Sequence, residues 1–500
     1  MSKFNTKATI RTKTTNLAGG EAFKESPILE FISILLTSFV QDQYYRSSDE
    51  TLQRLKELIK TISDKKFLAK SAIYARNEFG MRSISHAVAG ELATIVKGEP
   101  WMKDFFDMVV HRPDDMMEIV AYYLNVAGDT KDTNKKRPIP NAMKKGFAKV
   151  ISRLDEYALS KYRGENKDVS LVDIVNLVHP VPNDKNREAL KKLVEGKLKA
   201  TTTWESVQTR AGQIAKTEEE KIELKKQGWI DFIRAKDTPQ FALLRNLVNL
   251  LEQVPEIVDE IITKLTNEAA IKKSLILPFR YISAINEVEQ LGSKESRKVL
   301  EALNKAVDIS CNNVPKLKGD TLVVLDHSGS MGSALTDNVG KASLFGVILA
   351  KACNADCMIF GNNAAYVPIN LQDSTLTSTK TIIGYNQGYN DSGKYNVGHG
   401  TNFHAIFQTA NKKYDRIVIF SDMQGWVDDD TPTKDFAAYK QKYNAIPHVY
   451  SIDLAGYGTL QFPEKQVYAL AGFSEKIFSF MEILEQDRNA LISKINSIDL

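Results

Sequence analysis

From the N-terminus to Ser310, apolar residues recur every three or four positions, the spacing that lines one face of an α-helix. Leu52–Ile62, Phe67–Tyr74, Ile84–Ile95 and Met116–Leu124 each carry such a stripe. Phe241, Leu244, Leu247, Val248 and Leu251 form another after the start signal Asp237-Thr238-Pro239, and Leu190, Leu193, Val194 and Leu198 line a Lys-bearing helix. Polar breaks such as Ser63-Asp64 and Gly98–Pro100 keep the helices short, and almost nothing alternates with a period of two. Short antiparallel helix pairs stacked into a solenoid fit this pattern better than a compact bundle.

The pattern changes after Asp320. Thr321–Leu325, Cys357–Phe360, Arg416–Phe420 and His448–Asp453 are strand-like runs, with helical stripes at Val339–Cys353 and Asp435–Tyr443 between them. Strand alternating with helix predicts right-handed crossovers and a doubly wound parallel sheet covered on both faces. Gly361–His399, rich in Asn, Gly, Thr and Tyr, predicts a long loop with one short helix. The expected fold class is therefore mainly α with an α/β C-terminal domain. The expected boundaries are a basic arm at 1–20, helical repeats at 21–315 and the α/β domain at 316–500.

Composition is that of an ordinary soluble protein, 43% hydrophobic and 26% charged over 500 residues. Ile28–Val40 contains Glu30 and is too short to span a bilayer, and the N-terminus lacks the apolar core of a signal peptide. Three cysteines make neither a disulfide framework nor a zinc site. A cytoplasmic, monomeric protein with no membrane contact is expected. The net charge of +4 conceals an asymmetry: 52 Lys and Arg face 44 Asp and Glu up to Asp320, but 14 face 18 beyond it. Lys131–Lys149 carries seven cations and one acid. Lys135, Lys136, Arg137, Lys144, Lys145 and Lys149 there are either phosphate contacts for a nucleic acid or a solvated loop and helix face.

Five oxygen-bearing side chains concentrate in the second half: Asp326, Ser328 and Ser330 in VVLDHSGSMGS, Thr401 in GHGTNF, and Asp422 in VIFSDMQG. A loop leaving the C-terminal end of a parallel strand sits where α/β sheets collect ligands. Two carboxylates and three hydroxyls suit a hard divalent cation, Mg²⁺ first and Mn²⁺ second. Thr401 could instead cap the helix carrying Phe403, Ile406, Phe407 and Ala410. Catalysis is not expected. The chain has no Gly-rich phosphate loop with Lys, no H-E-x-x-H and no nucleophile elbow, and two carboxylates are too few for a two-metal nuclease.

These three segments resemble the metal-ion-dependent adhesion site of von Willebrand factor type A domains, residue by residue. A second resemblance covers nearly the whole chain. Asn16–Phe23 (NLAGGEAF), Tyr74–Arg82 (YARNEFGMR), Arg137–Asn141 (RPIPN), Lys161-Tyr162-Arg163, Val178-His179-Pro180, Thr203-Trp204-Glu205, Ala242–Leu247 (ALLRNL), Leu277–Arg280 (LPFR) and the C-terminal YALAGFSEK are similar to TROVE domains. TROVE followed by an A domain is the layout of the Ro ribonucleoprotein family. That resemblance implies a ring of HEAT-type helical repeats closed by the A domain. It also implies a basic hole for single-stranded 3′ ends of misfolded RNAs and an outer surface for a small noncoding Y-like RNA. RNA quality control, or tethering of an exoribonuclease through the RNA, would follow.

The family's Y-RNA contact region aligns with Lys161–His179, placing a contact lysine at Lys161 and a contact histidine at His179. Arg163 and Lys167 join them as candidate phosphate contacts. The spacing departs from animal members near Asn166, and Val169–Asp173 replaces their Trp-Ser-His-Lys-Asp segment. Without the family, Tyr162 reads equally as core and His179 equally as structural. Arg82, Arg245 and Arg280 either pair with acids or point into the hole. The competing function is a metal-dependent protein scaffold that captures a partner's carboxylate on the A domain.

Overall fold

The computed structural model describes residues 13–24, 26–37, 48–127, 138–164, 167–198, 214–274, 276, 278–311, 317–370, 372–385, 395–426, 432–457, 459–461, 467–471, 476–486 and 490–500. The expected RNA contacts Lys135, Lys136 and Arg137 lie outside the described residues. The chain divides into two compact units, Leu52–Gly228 with Leu491–Leu500, and Met1–Thr51 with Trp229–Ala490.

The first unit is helical, as the periodicity predicts. Helix Ser83–Ile95 packs on Pro113–Ala127, and Met102–Val109 packs on Asn141–Arg153. Phe105, Phe106 and Phe147 are fully buried between the second pair, with Phe106 edge-on to Phe147 at 5.8 Å. Gly146 permits that approach, because a Cβ there would lie 2.6 Å from the Lys103 carbonyl oxygen. Local signals start the helices. Asp64 accepts from the Phe67 amide at 2.9 Å, and Ser170 with Asp173 forms a reciprocal capping box on Leu171–Val178.

The second unit joins further helices to a mixed sheet. Strands β1 (Lys13–Thr15), β2 (Glu21–Lys24), β3 (Thr321–Asp326), β4 (Asp356–Phe360), β5 (Ala364–Val367), β6 (Arg416–Ser421), β7 (His448–Asp453), β8 (Thr459–Leu460) and β9 (Val467–Ala471) make two sheets. The larger runs β5-β4-β3-β6-β7-β9, and the smaller β1-β2-β8. Alternate residues of β3 face opposite layers. Leu322 and Val324 join Phe403, Phe407, Phe436 and Tyr439 in one apolar cluster. Val323 and Leu325 meet helix Asn338–Cys353, where a Cβ on Gly346 would come within 2.4 Å of the Leu325 side chain. The apolar stretch expected to be too short for a bilayer is helix Pro27–Thr37, which packs on β9 with Phe31, Ile34 and Leu35 buried. No helix among the described residues is long and apolar enough to cross a membrane.

Three expectations need correction. The sheet is not wholly parallel: β5 pairs antiparallel with β4 inside the segment expected to be loop, and helix Thr375–Gly384 follows it. With only four residues, Ala-Ala-Tyr-Val, β5 is too short for its pattern to stand out. The single helix expected over Phe241–Leu251 is broken at Asn246, whose side chain donates to the Ala242 carbonyl at 2.7 Å. Phe241 is consequently exposed rather than core.

Candidate metal centre and nucleic-acid surface

Strands β3 and β6 are parallel neighbours in register, Leu325 opposite Phe420, so the residues at their C-terminal ends meet. The chain leaves β3 for β4 on one side, whereas β6 lies on the other. That reversal of strand order opens the crevice in which doubly wound sheets bind ligands. Asp326, Ser328, Ser330, Thr401 and Asp422 all stand there and all are buried. The Ser328 amide donates to Asp326 Oδ1 at 2.8 Å, and the Ser421 hydroxyl donates to Asp326 Oδ2 at 2.5 Å. Ser328 Oγ and Ser330 Oγ are 3.3 Å apart. The Thr401 loop is tied in from both sides: Gly400 donates to Asn362 Oδ1 at 2.8 Å, and Gly329 donates to the His399 carbonyl at 2.9 Å.

Two oxygens of the candidate ligand set remain unsatisfied. Thr401 Oγ1 and Asp422 Oδ2 are buried without a hydrogen-bond partner. Thr401 is not a helix cap: helix His404–Thr409 starts after Phe403, without a side-chain cap. Burial, then the neighbouring Asp422 carboxylate, pushes the Asp326 carboxyl above the usual carboxylate range, and burial does the same to Asp422. Orphaned polar atoms and crowded buried carboxylates cost free energy unless positive charge compensates them. The donor set of two carboxylates and three hydroxyls fits a hard cation. Among the described residues no group of three or more His, Cys, Asp or Glu is placed to hold a metal, so any cation here would need the hydroxyls as ligands too.

The loop carrying Asp422 is held by a distant part of the sequence. Asn16, in the turn between β1 and β2, is buried and donates through Nδ2 to the Gly425 carbonyl. Its Oδ1 accepts from the Ala18 and Gly20 amides at 3.0 and 2.9 Å. The Leu17 amide donates to Gln424 Oε1 at 2.7 Å, and Gln424 donates to the Asp422 carbonyl at 3.1 Å. Met423 adopts a left-handed φ of 59°, a conformation costly for this residue type, and Gln461 donates to its carbonyl at 3.0 Å. Sequence reading missed this clasp. NLAGG carried a family likeness but no sign of where it docks.

The candidate RNA contacts scatter over the helical unit. Lys161 and Lys167 are exposed, and Lys167 lies 3.5 Å from Glu118. Arg163 instead turns to donate to the Leu198 carbonyl. His179 is exposed and takes a left-handed φ of 49° as the residue ending helix Leu171–Val178. On helix Asn141–Arg153, Lys145 is exposed, Lys144 is half-buried, and Lys149 pairs with Asp104 at 2.5 Å. Lys145 also lines a cavity of about 840 Å³ with Lys97, Lys103 and Tyr123. Arg82 is resolved in favour of pairing: it contacts Asp114 at 2.7 Å, Asp115 at 2.6 Å and Glu118 at 2.9 Å. Arg245 is exposed over the Phe241 ring.

Comparisons with known proteins agree with this architecture. The family model described as the TROVE domain matches residues 35–228 and 223–319. The chain is 23% identical over 320 residues to Telomerase protein component 1 of Mus musculus, covering 49% of this chain and 12% of that protein. It is 24% identical over 358 residues to RNA-binding protein RO60 of Deinococcus radiodurans, covering 62% of this chain and 65% of that one. It therefore spans less than two thirds of the length of either relative. The crystal structure of the Deinococcus radiodurans RO (RSR) protein superposes with a TM-score of 0.58 at 17% identity, over 91% of this chain and 99% of that one, a likeness of fold. With residues 35–319 matched, more than half of the sequence, the chain belongs to the TROVE domain family.

Proposed function

We propose that the chain is a Ro-type RNA-binding protein, cytoplasmic and monomeric. A basic outer surface holds a small noncoding, Y-like RNA, and single-stranded 3′ ends of misfolded RNAs enter the hole of a ring of HEAT-type repeats. It acts in RNA quality control, or tethers a processing exoribonuclease through the RNA, and does not cut RNA itself. One observation carries this reading: the TROVE match spans more than half the chain, and a relative is named an RNA-binding protein. Exposed Lys161, Lys167 and Lys145 supply cations for phosphate contact, with exposed His179 as a hydrogen-bonding ring, and counterion release makes such binding largely independent of sequence. Backbone contact orients an RNA, whereas unpaired bases supply what selectivity there is.

The α/β region is read as a von Willebrand factor type A domain closing the ring. Asp326, Ser328, Ser330, Thr401 and Asp422 would hold Mg²⁺ or Mn²⁺ as its adhesion-site cation. The orphaned Thr401 and Asp422 oxygens support that assignment. A cation there would relieve the repulsion between two buried carboxylates and leave a position for a partner's oxygen. Trp426, half exposed at the end of the Asp422 loop, favours a second reading in which this crevice docks a protein through its carboxylate. Crosslinking in the native host followed by sequencing separates the two. Enrichment of structured small noncoding RNAs and of RNAs with ragged 3′ ends supports the first, and recovery of no RNA above background contradicts it.

A further inference from the structure

Short helix Glu156–Lys161 buries Leu159 and Ser160 but turns Tyr157 outward, leaving that residue 55% exposed. Lys161, four residues on, brings its ammonium 5.4 Å from the Tyr157 ring centre and 5.6 Å from that of Tyr162. It also donates to the Tyr157 hydroxyl at 3.3 Å. The Arg112 guanidinium lies 5.5 Å from the Tyr162 ring, and is itself fixed by two bonds to Asp114 at 3.1 and 2.9 Å. Cation and aromatic thus alternate along one surface strip in the order Arg112, Tyr162, Lys161, Tyr157. Arg112 is neutralised by its carboxylate, whereas no carboxylate among the described residues pairs with Lys161. The stem of Lys167 passes beside Gly164, close to the same strip.

A strip of this kind has an exposed aromatic ring at its end and, next to it, a positive charge that no carboxylate among the described residues neutralises. Left in water, the Tyr157 ring forfeits the stabilisation that burial or stacking would give. Its orientation is fixed by Lys161, so little side-chain freedom remains to be lost when a flat group lands on it. An unpaired nucleobase offers a π-face to the ring, and its phosphate offers charge to Lys161. Single-strand binders combine these two elements. Double-stranded RNA presents its bases edge-on and stacked, so the strip has no purchase on them.

We propose that Tyr157 is a stacking platform for an unpaired RNA base, with Lys161 placed to hold the adjoining phosphate. This rests on the RNA-binding reading above and adds to it a residue and a substrate preference for single-stranded over paired segments. The test uses the full chain, with single-stranded oligoadenylate and a blunt RNA duplex as probes, titrated at several salt concentrations. Tyr157→Ala should weaken oligoadenylate binding by about 5- to 150-fold. It should leave the salt slope and duplex binding unchanged, and because the ring is exposed the melting temperature should also hold. Tyr157→Phe should bind as the parent does, since stacking uses the ring and not the hydroxyl. Lys161→Ala should instead reduce the salt slope by about one phosphate contact. Parental oligoadenylate affinity in Tyr157→Ala, or an equal loss for the duplex, overturns the platform while leaving RNA binding intact. Failure of the parent protein to bind either probe overturns both.

Discussion

Asp115 sits where three chain segments converge on one carboxylate. Fully buried, it receives Arg76 at 3.1 Å, Arg82 at 2.6 Å, and the amides of His111 and Arg112 at 2.9 and 3.1 Å. Burial alone would raise its carboxyl, but the adjoining His86 ring and the Arg82 and Arg76 guanidiniums hold it far below the usual carboxylate range. A depressed folded value means the stabilisation is fully present above the unfolded pKa, near about 4, and is lost as pH falls toward the folded value. Asp115→Ala strands two arginines and should cost about 3–5 kcal/mol in urea unfolding. Asp115→Asn should in addition flatten the loss of stability below about pH 4. Unfolding midpoints equal to the parent's would deny the network its structural role. A second residue-scale expectation concerns Asp326. Mg²⁺ at a hundred times its Kd should stabilise the parent by about 2.7 kcal/mol, read as a rise in melting temperature, and Asp326→Ala should show none. Asp326, Ser328 and Ser330 were legible as candidates because their D-x-S-x-S spacing follows an apolar run, whereas Tyr157 was not. An aromatic at helical spacing looks like core until its neighbours show which face is covered. Arg82 was ambiguous for a related reason, since Asp114 and Asp115 lie more than thirty positions away.

At the scale of elements, the β1–β2 hairpin acts on a loop four hundred residues distant. Asn16 and Leu17 hold Gly425 and Gln424, and Gln424 holds Asp422. Gly20 allows the closeness, since a Cβ there would lie 2.0 Å from the Gly425 carbonyl oxygen. Asn16→Ala leaves that buried carbonyl unpaired, a loss of about 1–3 kcal/mol. It should also shrink the Mg²⁺-dependent rise in melting temperature expected of the parent chain. An undiminished rise would mean that the Asp422 loop keeps its shape without the clasp. Long, strongly periodic elements such as Ser83–Ile95 and the apolar strands β3 and β6 were readable from spacing alone. The short ones were not: β5 spans four residues and depends on its neighbour β4 for definition. Asn246 broke a helix through a side-chain bond to its own backbone, a local competition that apolar periodicity does not register.

For the whole molecule, a mainly helical chain with a C-terminal α/β region was foreseeable from the switch in period at Asp320, though the antiparallel edge strand β5 was not, and the likeness of fold agrees with it. Charge was informative only in bulk. The excess of cations before Asp320 raised the expectation of phosphate contacts there, but Lys149 and Arg82 turned out to be paired with acids, and which cations lack a carboxylate depends on folding. The central claim is that the intact protein grips RNA through its phosphates without cleaving it. Filter binding of end-labelled single-stranded RNA across a range of salt, with Mg²⁺ present, tests that most directly. Affinity falling linearly with salt on logarithmic axes, with RNA of unchanged length recovered, is the predicted result. Absent or salt-indifferent binding, or shortened RNA, would contradict it.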